Sequence, residues 1–91
     1  MKLKYEFTVM DMGGGEIAAV PVGEGAKAFH GMLRLNELSA EILEKLKEDT
    51  TPYKLHDYLK AKYPESTDQE IASQLDPFLR KLLQEGLLTL P

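Results

Sequence analysis

Two glycine clusters, two histidines and a scatter of serines and carboxylates are the residues of this chain whose types could do chemistry. Gly23-Glu24-Gly25-Ala26-Lys27-Ala28 matches G-x-G-x-x-A, the spacing with which a loop brings backbone N–H groups against a pyrophosphate. That chemistry needs a strand before the loop and a helix after it, inside a strand–helix–strand unit. Here the pattern after the glycines reads as another strand and no such unit fits, so the cluster is expected to be a turn. Gly13-Gly14-Gly15 lacks the Lys-Ser/Thr that completes a phosphate-binding loop, and it too reads as a turn. His30 and His56 have no cysteine and no spaced carboxylate beside them, so they do not form a metal ligand set. Ser39 and Ser73 have no base near them in sequence, and the carboxylates are spread along solvent-facing helix surfaces. The chain is therefore read as a non-enzyme with no metal and no cofactor.

The bulk properties narrow the class further. At 91 residues, one domain over 1–91 with one core is expected. Hydrophobic residues at 43% against 29% charged place the chain among globular rather than disordered sequences. Without cysteine there is no disulfide framework and no thiolate site. No apolar run is long enough for a membrane, and Met1-Lys2-Leu3-Lys4-Tyr5-Glu6 does not open a signal peptide, so a cytoplasmic location and no membrane partner are expected. A formal charge of −4, with bases interleaved among acids as in Glu44-Lys45-Leu46-Lys47-Glu48, argues against a nucleic-acid partner.

The positioning elements follow from hydrophobic period. Tyr5, Phe7 and Val9 alternate with Glu6 and Thr8, the signature of a half-buried strand. The glycines 13–15 then supply a hairpin turn, and the run Ile17 to Val22 a second strand that weakens at Pro21. Phe29 to Leu35 is the expected third strand, with Phe29, Leu33 and Leu35 on one face. From Asn36 the period becomes helical. Leu38, Ile42, Leu43 and Leu46 form the stripe of a first helix capped by Asn36. Thr51-Pro52 opens a second that carries Leu55, Tyr58, Leu59 and Tyr63 and stops at Pro64. Thr67-Asp68-Gln69-Glu70 is a capping box for a third, which Pro77 should kink and Gly86 should end. The expected fold is α+β and winged-helix-like: a three-stranded antiparallel meander followed by a three-helix bundle.

Two functional readings arise from this order. The last two helices resemble a winged helix-turn-helix, which makes a DNA-binding regulator the alternative function. Its recognition helix, however, would carry Asp68, Glu70, Asp76 and Glu85 against only Arg80 and Lys81. The favoured reading starts from the third strand, which a three-stranded meander leaves with one edge unpaired. Ala72, Leu79 and Leu83 also widen the apolar surface of the third helix beyond one stripe. An apolar groove beside an open edge is the arrangement that binds a peptide by strand addition.

The ordered set Gly23-Glu24-Gly25-Ala26, Phe29-His30-Gly31-Met32-Leu33-Arg34-Leu35-Asn36-Glu37, Thr50-Thr51, Tyr63 and Leu82-Leu83-Gln84-Glu85-Gly86-Leu87-Leu88 resembles the PqqD-like family. The resemblance implies a RiPP recognition element. Such a domain binds the leader segment of a ribosomally synthesised precursor peptide and presents it to a maturation enzyme, a radical SAM protein in many cases. It implies that the leader adds beside the third strand, in the cleft made with the third helix. Carried over by position, the peptide-binding edge is His30, Gly31, Met32, Leu33, Arg34 and Leu35. The helical wall is Leu75, Leu79, Leu82 and Leu83, with Arg80 as a partner for acidic leader residues. The expected partners are the precursor peptide and its maturation enzyme, and the chain itself is read as a monomer or a weak homodimer.

Overall fold

The computed structural model describes residues 1–29 and 31–89. Its main sheet is an antiparallel meander of β2 (Phe7–Gly13), β3 (Glu16–Pro21) and β4 (Leu33–Leu35), in that spatial order. Gly13, Gly14 and Gly15 all have positive φ, the conformation the tight β2–β3 connection requires and which only glycine adopts without strain. The helices α2 (Glu37–Lys45), α3 (Pro52–Lys62) and α4 (Asp68–Gln84) follow. The α+β architecture expected from the sequence is the one observed.

Each of these three helices begins where its cap places it. Asn36 Oδ1 accepts the N–H of Ser39 at 2.8 Å, and Thr51 Oγ1 accepts that of Lys54 at 3.1 Å. Thr67 and Glu70 form the reciprocal capping box. Helix α4 runs on through Pro77 and ends in a Schellman motif: Gly86 N–H donates to the Leu83 carbonyl and Leu87 N–H to that of Leu82. Gly86 carries the left-handed φ of 70° that this motif needs.

The core lies between the inner face of the sheet and the three helices. Leu33, Ile42, Leu46, Leu59, Leu82 and Leu87 are among its fully buried side chains. Between α2 and α3 the Glu41 carboxylate accepts the Tyr58 hydroxyl at 2.8 Å and pairs with the Lys62 ammonium. Those bonds, Lys62 first, hold the Glu41 carboxyl below its ordinary range, and the same carboxylate raises both Lys62 and the Tyr58 phenol.

Three features depart from the sequence reading. Residues Glu24–Ala28 are a short helix, α1, not a turn. Gly23, at φ 63°, redirects the chain, and Gly25 lets the new helix lie on Tyr5, whose Cβ would stand 2.7 Å from a Cβ at that position. This does not revive dinucleotide binding, because β3 and β4 are antiparallel and α1 has only five residues. Of the strand expected over 29–35, the described residues show Leu33–Leu35 as strand, while Phe29 closes α1 as its C-cap. Finally, β1 (Lys2–Leu3) pairs with β5 (Leu88–Thr89), two-residue strands too short to show a period.

Candidate functional site

The site is an edge, and backbone parity decides what it presents. In an antiparallel pair, residues that bond each other across the strands alternate with residues whose N–H and C=O point away. Val22 N–H donates to the Glu6 carbonyl at 3.0 Å, which marks Glu6 and Val22 as a bonded pair. The β2–β3 register then makes Thr8–Val20 and Met10–Ala18 bonded pairs and turns Ile17 and Ala19 towards β4. Their partners there are Leu35 and Leu33. Arg34, opposite Ala18, is left with its N–H and C=O pointing out at the open edge.

The side chains alternate in the same way. Leu33 and Leu35 are buried at 1% and 6% exposure, so their side chains pack into the core. Met32 and Arg34 are exposed, and Gly31 just before them is exposed too. His30 lies outside the described residues. Met32, Arg34 and Leu35 line a shallow depression of about 130 Å³ on the outer sheet face, together with Met12, Glu16, Ile17 and Ala18. A second hollow, about 340 Å³, begins where β4 ends. Asn36 and Leu38 form one side of it, and Ser66, Glu70, Ile71, Ser73 and Gln74 the other.

The helix residues named from the sequence divide in two. Leu75, Leu79 and Leu82 are buried at 2%, 6% and 0%, so their side chains serve the core. Leu83 is 42% exposed and Arg80 is exposed, both in the last turns of α4. The part of α4 that faces the end of β4 across a hollow is its first half, around Glu70, Ser73 and Gln74. Sequence reading did not single out Ser73 or Gln74, which are polar and carry no apolar period. Among the described residues neither Arg34 nor Arg80 is held in an ion pair, so both present free cations.

The described residues hold no group of three His, Cys, Asp or Glu that could grip a metal, and no helix long and apolar enough to cross a membrane. His56 Nε2 stands 3.7 Å from Asp68, an ordinary surface contact between α3 and α4.

A third hollow, about 440 Å³, is elsewhere. Leu3 to Thr8 line it with Val22 and Lys47, beside the start of β2 at the opposite edge of the sheet. It is lined by no residue of β4.

A three-stranded antiparallel meander with β4 at one edge, backed by three helices, defines the class: a small α+β domain. The chain belongs to the coenzyme PQQ synthesis protein D (PqqD) family, whose model matches residues 8–88. No curated protein and no solved structure matches it.

Proposed function

We propose that this protein is a RiPP recognition element: it binds the leader segment of a ribosomally synthesised precursor peptide as an added strand along β4 and presents it to a maturation enzyme, a radical SAM protein. The observation that carries this reading is the open edge at Arg34, beside the depression on the outer sheet face, in a chain of the PqqD family. An added strand bonds through its backbone to Arg34, and to Met32 as the edge extends. Its side chains alternate between the outer depression and the hollow against α4. Leu83 and Arg80 lie further along the helix, where they meet leader residues that flank the added strand. Arg80 and Arg34 favour acidic residues there. The role is non-catalytic, as the proposed task of holding and delivering a peptide requires no reacting group.

The test is a titration of the isotope-labelled protein with synthetic leader segments of any short peptides encoded in its gene neighbourhood, followed by backbone amide shifts. Changes concentrated on residues 31–36 and the first half of α4 are expected. An absence of shifts at millimolar peptide, or shifts confined to the β2 edge, overturns the reading.

A further inference from the structure

The sheet has a second open edge, and it is longer than the first. By the parity that turns Arg34 outward, Phe7, Val9 and Asp11 each point one N–H and one C=O away from β3. Proteins blunt such edges with lysine, proline or a covering segment. Over Phe7–Gly13 there is no lysine and no proline. The one charge, Asp11, is drawn into the hairpin, where its Oδ1 accepts the Gly13 N–H at 2.8 Å. Val9, Met10 and Met12 are exposed at 43%, 42% and 59%.

We propose that β2 pairs antiparallel with β2 of a second copy, about a two-fold axis at Val9. In this register Val9 faces Val9, and Phe7 of each copy faces Asp11 of the other. All three are outward-pointing residues, so every open N–H and C=O of the two strands finds a partner. An axis at Val9 also keeps the two Asp11 carboxylates apart, each beside a phenylalanine. Thr8 comes opposite Met10 on the outer face. Met12 of the second copy comes opposite Glu6, at the rim of the 440 Å³ hollow beside the start of β2. Methionine's flexible side chain suits a hollow with no fixed shape.

The two meanders then form one continuous six-stranded sheet, three strands from each copy, with β4 at both ends. Both Arg34 edges stay open, about 24 Å apart at a strand spacing of ~4.8 Å. Self-association through β2 and strand addition at β4 are therefore compatible in one particle. The proposal uses the strand edge that leader binding does not, although Met12 lines the outer depression of its own sheet as well, and its test needs no peptide.

Sedimentation equilibrium of the full chain over about 1 μM to 1 mM, the range of weak self-association, should show a reversible dimer. Amide exchange at Phe7, Val9 and Asp11 should slow as concentration rises. Val9→Pro removes an outward donor and Val9→Lys adds an edge charge. Neither touches the β2–β3 ladder, and each should weaken the dimer at least tenfold while leaving far-UV circular dichroism unchanged. Arg34→Pro should leave the dimer intact. A wild-type chain that stays monomeric throughout, or exchange rates at these amides that ignore concentration, overturns the proposal. So does a Val9→Lys protein that folds and dimerises like the wild type.

Discussion

Arg34 on β4 stands opposite Ala18 on β3 in a pair whose backbone groups do not bond each other. Its neighbours Leu33 and Leu35 do bond across to Ala19 and Ile17, so adjacent residues of one short strand have opposite duties. Leu33 holds the sheet together with both its backbone and its buried side chain. Arg34 contributes little to the fold and offers its amide and carbonyl to whatever lies beside β4.

Proline substitution separates those duties. Arg34→Pro removes an outward donor from an edge strand, a position where proline is tolerated. Its thermal midpoint should stay within a few degrees of wild type. Leader affinity should fall about tenfold, the worth of roughly 1.4 kcal/mol from a lost bond and a disturbed edge. Leu33→Pro instead deletes a ladder bond and empties a buried site, and should cost about 3 kcal/mol or more. Calorimetric titration and urea unfolding on both variants read the contrast. Equal binding loss with equal destabilisation would mean the parity is wrong.

Gly25→Ala sets two effects against each other. Alanine inside a helix is favoured over glycine by about 1 kcal/mol. At this position, however, the new Cβ meets Tyr5 Cβ at 2.7 Å and Pro21 Cβ at 3.2 Å. Tyr5 Cβ cannot swing aside as the end of a long side chain would, and overpacking costs about 1–3 kcal/mol. The clash should win, lowering the unfolding free energy read from urea titration by a net of roughly 1 kcal/mol in a helix where propensity alone forecasts a rise.

The Glu41 carboxylate gives stability a defined pH dependence. Its carboxyl is held below the ordinary glutamate value of 4.5, first by Lys62 and then by Tyr58. A group whose folded pKa is depressed stabilises above its unfolded value, and the gain is lost as pH falls through the folded one. Wild type should therefore exceed Glu41→Gln in thermal midpoint at neutral pH, and the gap should close as pH falls below 4.5. Measuring both proteins at pH 7 and pH 3 decides it. A gap that persists in acid would assign the effect to side-chain packing, not to the ion pair.

Much of this fold is legible in the sequence because caps and periods are local. Asn36, Thr51, Thr67 and Gly86 each act within a few residues of themselves, and each sits where it was expected. What was not legible depends on distant partners. The glycines at 23 and 25 read as a turn because the surface of Tyr5 that α1 covers is invisible from composition. The pairing of Lys2-Leu3 with Leu88-Thr89 joins the two ends of the sequence and has no local signature. At the site, the open edge follows from strand order, while the helical residues carried over by resemblance, Leu75, Leu79 and Leu82, have side chains buried in the core, a placement that depends on packing against distant elements.

That last difference yields a direct comparison between two stretches of α4. Ser73 is exposed on the hollow that begins at Asn36, and a large ring there would occupy the space an added strand's inward side chains need. Ser73→Trp should leave the fold intact, because the site faces solvent, and weaken leader binding at least tenfold. Leu83→Ala and Arg80→Ala alter residues nearer the helix end. As contacts at the rim of an interface they should each cost under about 1 kcal/mol, or less than about fivefold. The Arg80 effect should shrink further in high salt, as exposed ion pairs do. If Leu83→Ala is instead the severe variant and Ser73→Trp the silent one, the leader lies along the last turns of α4 and the first half of the helix is a bystander.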